Sequence, residues 1–392
     1  MRVVVVGAGV AGLEAVLALR KLAEALVRVD LVSPETEFVL RPLAVAEPFG
    51  TRQPRTFPLA GFAEDQNVSL HHARLLGVDP ERGVAVAEEG ELPYDALVLA
   101  IGAVPRETLP GALTFGGPAD VEAIRGLVHG LDVGAVRSVA FVVPAGVEWT
   151  LPVYELALLT AGQLAERGRP QANLTIVTLA ERPLEVFGPS ASDLVERLLS
   201  ERGIDWRSNA EARQFEDGRL ELSTGEALAV DRVVALPRLE VPDFFGVPQT
   251  VAGFIPTDET GTVEGLDAVY AVGDVTTQPI KQGGLAAQQA DAVAAAIARQ
   301  AGAEVEEVTF KPRLRGILLG RGLPHYLLAG AEEVSSLASE HPLWWPGGAS
   351  GKVAGRYLAP YLARWGQDPA EEPLRRPRGR RSSYRSGRPN GA

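Results

Sequence analysis

Residues 2–6 read Arg-Val-Val-Val-Val and run straight into Gly7-Ala8-Gly9-Val10-Ala11-Gly12. A short β-branched run suits a buried parallel strand. Residues 13–25 then carry a helical pattern, and residues 27–32 a second strand. The G-x-G-x-x-G spacing therefore sits in a strand–turn–helix–strand setting, which turns a loose pattern into a structural constraint. Gly7 allows the tight turn, Gly9 lets a pyrophosphate approach the backbone, and Gly12 lets the helix pack closely on the strand. The helix start offers free N–H groups and partial positive charge. An acidic residue usually follows about 20 positions on, where it holds a ribose. Here the strand ends in Ser33-Pro34-Glu35, and Glu35 is the candidate.

Composition narrows the chemistry. The 392 residues contain no cysteine, which removes redox disulfides, thiolate nucleophiles and cysteine-held iron–sulfur or zinc sites. The net charge of −12 gives the whole molecule no general attraction to nucleic acid, and no nucleic-acid partner is expected. The start has no signal-peptide layout, and no apolar run reaches transmembrane length, so a cytoplasmic protein is expected. Five histidines show no metal-ligand spacing; adjacent His71 and His72 read as ordinary surface or loop residues. No metal is expected.

Two further segments matter. Tyr94-Asp95-Ala96-Leu97-Val98-Leu99-Ala100-Ile101-Gly102 and Val269-Tyr270-Ala271-Val272-Gly273-Asp274 each read as a buried strand ending in a turn. With the N-terminal glycine motif, and in this order, they resemble the two-dinucleotide-domain, FAD-dependent pyridine nucleotide-disulfide oxidoreductase superfamily. Within it the likeness is to sulfide:quinone oxidoreductases, flavocytochrome c sulfide dehydrogenase flavoproteins and type II NADH dehydrogenases. The stretch Pro279-Ile280-Lys281-Gln282-Gly283-Gly284-Leu285 looks like their segment after the aspartate, and residues 38–49 like the segment after their second strand.

The resemblance covers residues 1–305 and implies an α/β fold: two Rossmann-like, three-layer units, the second inserted in the first, plus a C-terminal α+β region. The implied division is 1–108 and 245–305 for FAD, 109–244 for the insert, 306–368 for the C-terminal region and 369–392 for an Arg-rich tail. It implies FAD as cofactor. Gly7, Gly9, Ala11, Gly12 and Glu35 would serve the ADP portion. Ala100 and Gly102 would lie against the cofactor, with Arg41 and Pro42 as neighbours. Gly273 would allow close approach and Asp274 would bind the ribityl chain. Lys281 with the Gly283–Gly284 helix start would face the flavin O2 end, where a helix N-terminus stabilises negative charge. A solvated surface lysine is the other reading of Lys281. The catalytic residues stay unassigned.

The insert departs from the pattern. Its glycine turn reads Pro144-Ala145-Gly146-Val147-Glu148-Trp149, with one glycine left. Proline has no N–H for a phosphate, and Glu148 would repel a pyrophosphate. An efficient NAD(P)H site is not expected. Sulfide uptake by paired cysteines is excluded by composition. Trp149 and Tyr154 either shape a pocket over the flavin or fill the core. The expected function is an FAD-dependent oxidoreductase passing electrons from an unidentified small-molecule donor to a quinone-like or other acceptor. Two alternatives stay open: a flavin-binding scaffold or sensor without turnover, and an NAD(P)H dehydrogenase with an unorthodox site supported by Gly146 and Glu181.

At the C-terminal end, residues 310–319 and 324–328 read as strands. Val353, Tyr357, Tyr361, Leu362 and Trp365 fall on one apolar helical face, with Pro360 expected to kink or end it. A face folded back on the protein's own core and peripheral membrane contact both suit that pattern. From Arg375 onward seven arginines stand with no acid, a tail read as disordered.

Overall fold

The computed structural model describes residues 1–51, 55–168, 172–330, 336–353 and 355–365. The Arg-rich tail lies outside the described residues. The chain opens with β1 (Arg2–Val6), α1 (Val10–Leu22) and β2 (Arg28–Val32), followed by α2 (Leu59–Gln66), β3 (Ser69–His71) and β4 (Ala96–Leu99). Between β3 and β4 a three-stranded antiparallel meander (Leu75–Asp79, Val84–Ala87, Gly90–Pro93) covers one sheet face.

A second unit then intervenes: β5 (Leu113–Thr114), α3 (Val121–Asp132), β6 (Ser138–Val142), α4 (Leu151–Glu166), β7 (Asn173–Val177), α5 (Pro189–Glu201), β8 (Ile204–Arg207) and β9 (Arg232–Ala235). The chain returns with β10 (Val269–Ala271) and α6 (Gly283–Gln300). The first sheet runs β10-β4-β1-β2-β3 and the second β5-β9-β6-β7-β8, and all pairings within both are parallel. The expected α/β architecture is what the chain forms. An antiparallel ribbon of Val104–Arg106 with Arg238–Glu240 joins the two passages between the units.

The parallel strands are apolar on both faces because each sheet is covered on both sides. Val3 and Val5 face the α1/α6 layer, whereas Val4 and Val6 face the meander. In α6 the alanines Ala286, Ala290 and Ala294 let α1 lie close against it. Asp30 is the exception in this apolar sheet. It is fully buried and held by Arg2 Nε and His71 Nε2, each at 2.9 Å. His71 is therefore tied into the sheet rather than an ordinary surface residue, which corrects the sequence reading.

Helix α1 starts three residues earlier than its hydrophobic pattern indicates. Gly9 O accepts from Leu13 N at 3.0 Å, so the second half of the glycine motif is itself helical.

The C-terminal region adds an antiparallel sheet of β11 (Leu314–Leu318), β12 (His325–Ala329) and β13 (Ser336–Ser339), then α7 (Leu358–Trp365). Pro360 neither kinks nor ends α7. It sits in the first turn, where no intrahelical N–H is missed. Tyr361 packs on Phe62 at 5.4 Å, Trp365 on Phe57 at 6.1 Å, and Tyr361 donates to Asp65 at 2.8 Å. The apolar face of this helix thus folds back on the chain's own core. No helix among the described residues is long and apolar enough to cross a membrane.

Candidate functional site

The site grows from the carboxyl end of β1, where the first sheet changes strand direction of travel from β1–β2 to β1–β4. Gly7 takes a φ of +106°, and its N–H donates to Val32 O at 2.8 Å. A Cβ there would stand 2.3 Å from Ala100 O, and a Cβ on Gly12 would stand 1.8 Å from Gly7 O. These two glycines are packing requirements. Gly9 is different: a Cβ there meets nothing within 4 Å. Its exposed backbone borders open space at the start of α1.

The third motif closes onto the first. Gly273 has a φ of +79°, and a Cβ on it would lie 3.2 Å from the Ala11 methyl and 3.3 Å from that of Ala286. The Gly273–Asp274 turn is therefore wedged between the N-terminal ends of α1 and α6. Gln289 from α6 fixes it: Gly273 N donates to Gln289 Oε1 at 2.7 Å, and Gln289 Nε2 donates to Thr276 Oγ1 at 3.3 Å. Sequence reasoning missed Gln289. Its only signal was a polar residue on the buried face of an alanine-rich helix.

Asp274 projects from this turn half-buried, and no described side chain hydrogen-bonds its carboxylate. Burial pushes its carboxyl above the ordinary value, opposed by the positive charges of Lys281 and Arg41. Lys281 is not a solvated surface lysine. Its Nζ donates to Thr276 O and lies 3.9 Å from the centre of the Phe254 ring. Burial pushes it down to about 8, with Asp274 opposing.

At the start of α6, Gln282 caps the helix through Leu285 N at 2.8 Å and reaches Arg315 O on β11 at 3.0 Å. Gly283 and Gly284 open that helix, and Gly283 lies beside Val10 of α1. Gly102 has a φ of +71° with open space where a Cβ would be. Arg41 is exposed and Pro42 half-buried on the short 3-10 turn Arg41–Leu43. Glu35 is exposed beyond β2, and its N–H donates to the buried Ser33 Oγ at 3.1 Å.

A buried ion pair lies beneath the 41–43 turn. Lys352 Nζ is 2.6 Å from Glu155 Oε1 and 3.3 Å from Pro42 O. Burial pushes the Glu155 carboxyl up, while Lys352 and Leu319 N–H hold it down. The pair joins α4, the 41–43 turn and the C-terminal region. No sequence pattern linked these two residues.

In the second unit, residues 143–150 fill the connection that residues 7–9 fill in the first. The start of α4 is displaced from its strand end accordingly. Gly146 keeps a positive φ of +79°, Glu148 is exposed, and Arg238 Nε donates to Ala145 O at 3.2 Å. Trp149 packs on Phe187 at 5.8 Å. Tyr154 is 1% exposed and belongs to the core, not to a pocket wall. Glu181 lies exposed beyond β7.

The family model for pyridine nucleotide-disulphide oxidoreductases matches residues 1–298. The nitric oxide reductase FlRd-NAD(+) reductase of Aeromonas hydrophila is 30% identical over 247 residues, 59% of each chain. An NADH dehydrogenase-like protein of Mycobacterium tuberculosis is 29% identical over 302 residues, 70% of this chain and 72% of that one. The solved sulfide:quinone oxidoreductase of Aquifex aeolicus superposes with a TM-score of 0.79 at 20% identity, over 93% of this chain and 95% of that one. That likeness is one of fold. The chain spans 59% of the length of the first curated relatives it matches.

Proposed function

Because the chain belongs to the pyridine nucleotide-disulphide oxidoreductase family, whose cofactor is FAD, we propose that it is an FAD-dependent oxidoreductase whose acceptor is a quinone or a similar small molecule. The observation that carries this reading is that the turn bearing the unpartnered Asp274 carboxylate packs against the starts of both α1 and α6, beside the open space at Gly9. These are the features a dinucleotide needs: an approach for phosphates, an acceptor for hydroxyls and a positive helix end. FAD, when bound, supplies a ring that takes up and returns electrons in pairs.

The chain's own groups then have definable work. Gly7 and Gly12 hold strand and helix at the distance that leaves Gly9 accessible. Ala11, Gly273 and Gln289 fix the turn that aims Asp274 at the ribityl hydroxyls. Ala100 and Gly102 bring the third strand end alongside. Lys281, Arg41 and the Gly283–Gly284 helix start supply positive potential for the charge of the reduced ring. Glu35 would serve the adenosine ribose, with Pro42 as a neighbour of the cofactor. The Glu155–Lys352 pair holds the 41–43 turn against α4 and the C-terminal region through Pro42 O.

The division into an FAD unit (1–108 and 245–305) and an NAD(P)-binding-like insert (109–244) goes with this reading. The absence of cysteine removes the paired-thiol route for sulfide. A second reading, with NAD(P)H as donor, is favoured by what two relatives are named for. The longer connection 143–150 and its Pro144 stand against it. An anaerobic visible-absorption titration with NADH decides between them. A flavin that stays oxidised supports the first reading, and rapid stoichiometric bleaching replaces it with the second. Reoxidation of the chemically reduced protein by quinones must then outrun oxygen; no acceleration leaves a flavin scaffold without turnover. Peripheral contact with a membrane is tested by co-sedimentation of the full chain with liposomes.

A further inference from the structure

Glu14 is a charged residue at 0% exposure in the middle of α1. Its Oε1 accepts from Tyr357 N and Oε2 from Leu358 N, both at 2.7 Å. These are N–H groups at the start of α7, which an intrahelical bond cannot satisfy. The segment ahead of α7 closes tightly over the carboxylate: a Cβ on Gly355 would stand 2.5 Å from Glu14 Oε2.

Asp291 of α6 is the neighbouring carboxyl, each group acting on the other's charge, and Asp291 Oδ1 is buried without a partner. Two buried carboxyl groups set side by side need a proton between them. The arrangement ties three helices through one site, and two of them, α1 and α6, begin beside the Gly9 and Gly273 turns described above.

We propose that Glu14 and Asp291 form a proton-held clasp that fixes the C-terminal helix α7 to α1 and α6, and that loss of the shared proton loosens that helix. Among the described residues, the groups facing Asp291 are Glu14 from α1, and Arg356 and Tyr357 from the segment entering α7. Arg356 is exposed and opposes the second negative charge only in part. Burial, with Glu14 adding to it, pushes Asp291 up to about 8.

The direction follows. A carboxyl whose value is raised in the docked state takes up a proton on docking. Docking is therefore strongest at low pH, weakens by up to about tenfold per pH unit, and levels off once pH passes the raised value. Release uncovers the rings of Phe57 and Phe62 that α7 now covers.

The test is hydrogen–deuterium exchange at the Tyr357 and Leu358 amides of the full-length, FAD-loaded protein at pH 6, 7 and 8, corrected for intrinsic exchange. Protection should fall severalfold to about tenfold per unit in the wild type. Asp291→Asn keeps a neutral donor to Glu14, so its protection should stay level. Glu14→Gln weakens the acceptor, so protection should already be low at pH 6. A level wild-type profile overturns the clasp, as does an equal slope in Asp291→Asn. Should Asp291→Asn fail to fold, the wild-type profile decides alone: a falling one supports the clasp and a level one overturns it.

Discussion

The Lys352 ammonium lies 2.6 Å from the Glu155 carboxylate across 197 positions of chain, and both side chains are shut away from water. Each charge is tolerable only because the other is there. Lys352→Met should cost about 3–5 kcal/mol, because it strands a buried carboxylate. The double change Glu155→Leu with Lys352→Met should cost much less, since both desolvation costs disappear together. In the single variant Glu155 moves further up, so stability should recover as pH falls. Urea unfolding at pH 5 and pH 8 measures all three effects.

The glycines at the start of α1 should separate by function. Gly12→Ala drives a methyl into Gly7 O and should destabilise the protein by several kcal/mol or prevent folding. Gly9→Ala meets no protein atom, so its thermal midpoint without cofactor should move little. Its affinity for FAD should nevertheless drop at least tenfold, because the methyl occupies the space proposed for the pyrophosphate. Calorimetry and visible absorbance after gel filtration distinguish the two outcomes.

Asp274→Asn should weaken FAD binding by about 10–100-fold, the worth of a charge-assisted hydrogen bond. The same change should leave the cofactor-free protein as stable as the parent or slightly more so, because burial already disfavours the charged carboxyl. Equal FAD occupancy in parent and variant would remove Asp274 from the proposed site.

Asp30 gives a stability signature with the opposite sign. Burial pushes its carboxyl up, but the hydrogen bonds from Arg2 and His71 outweigh that and hold it below the ordinary value. Its contribution is complete above the unfolded value, near pH 4, and is lost as pH falls through the folded one. Thermal midpoints between pH 5 and pH 2.5 should fall less steeply in Asp30→Asn than in the parent.

Much of the architecture was written locally. The valine run, the glycine spacing and the alternation of strand and helix patterns specify parallel units because each signal is a short-range one. A turn that needs positive φ demands glycine at that very position, and Gly7 and Gly273 announce themselves for this reason. The order of the three motifs pointed to the family, and the degraded turn at Pro144–Trp149 was visible as a departure from it.

What the tertiary structure decided are partnerships between residues far apart in the chain. Gln289 under Gly273, Lys352 against Glu155, and Glu14 against the Tyr357 and Leu358 amides carry no pattern, because a buried polar group is specified by whatever satisfies it. The fate of Tyr154 and of the α7 aromatics was open for the same reason. An apolar face reads identically whether it meets a ligand, a membrane or the protein's own core. Only the packing of α7 on Phe57 and Phe62 settled which of these covers it.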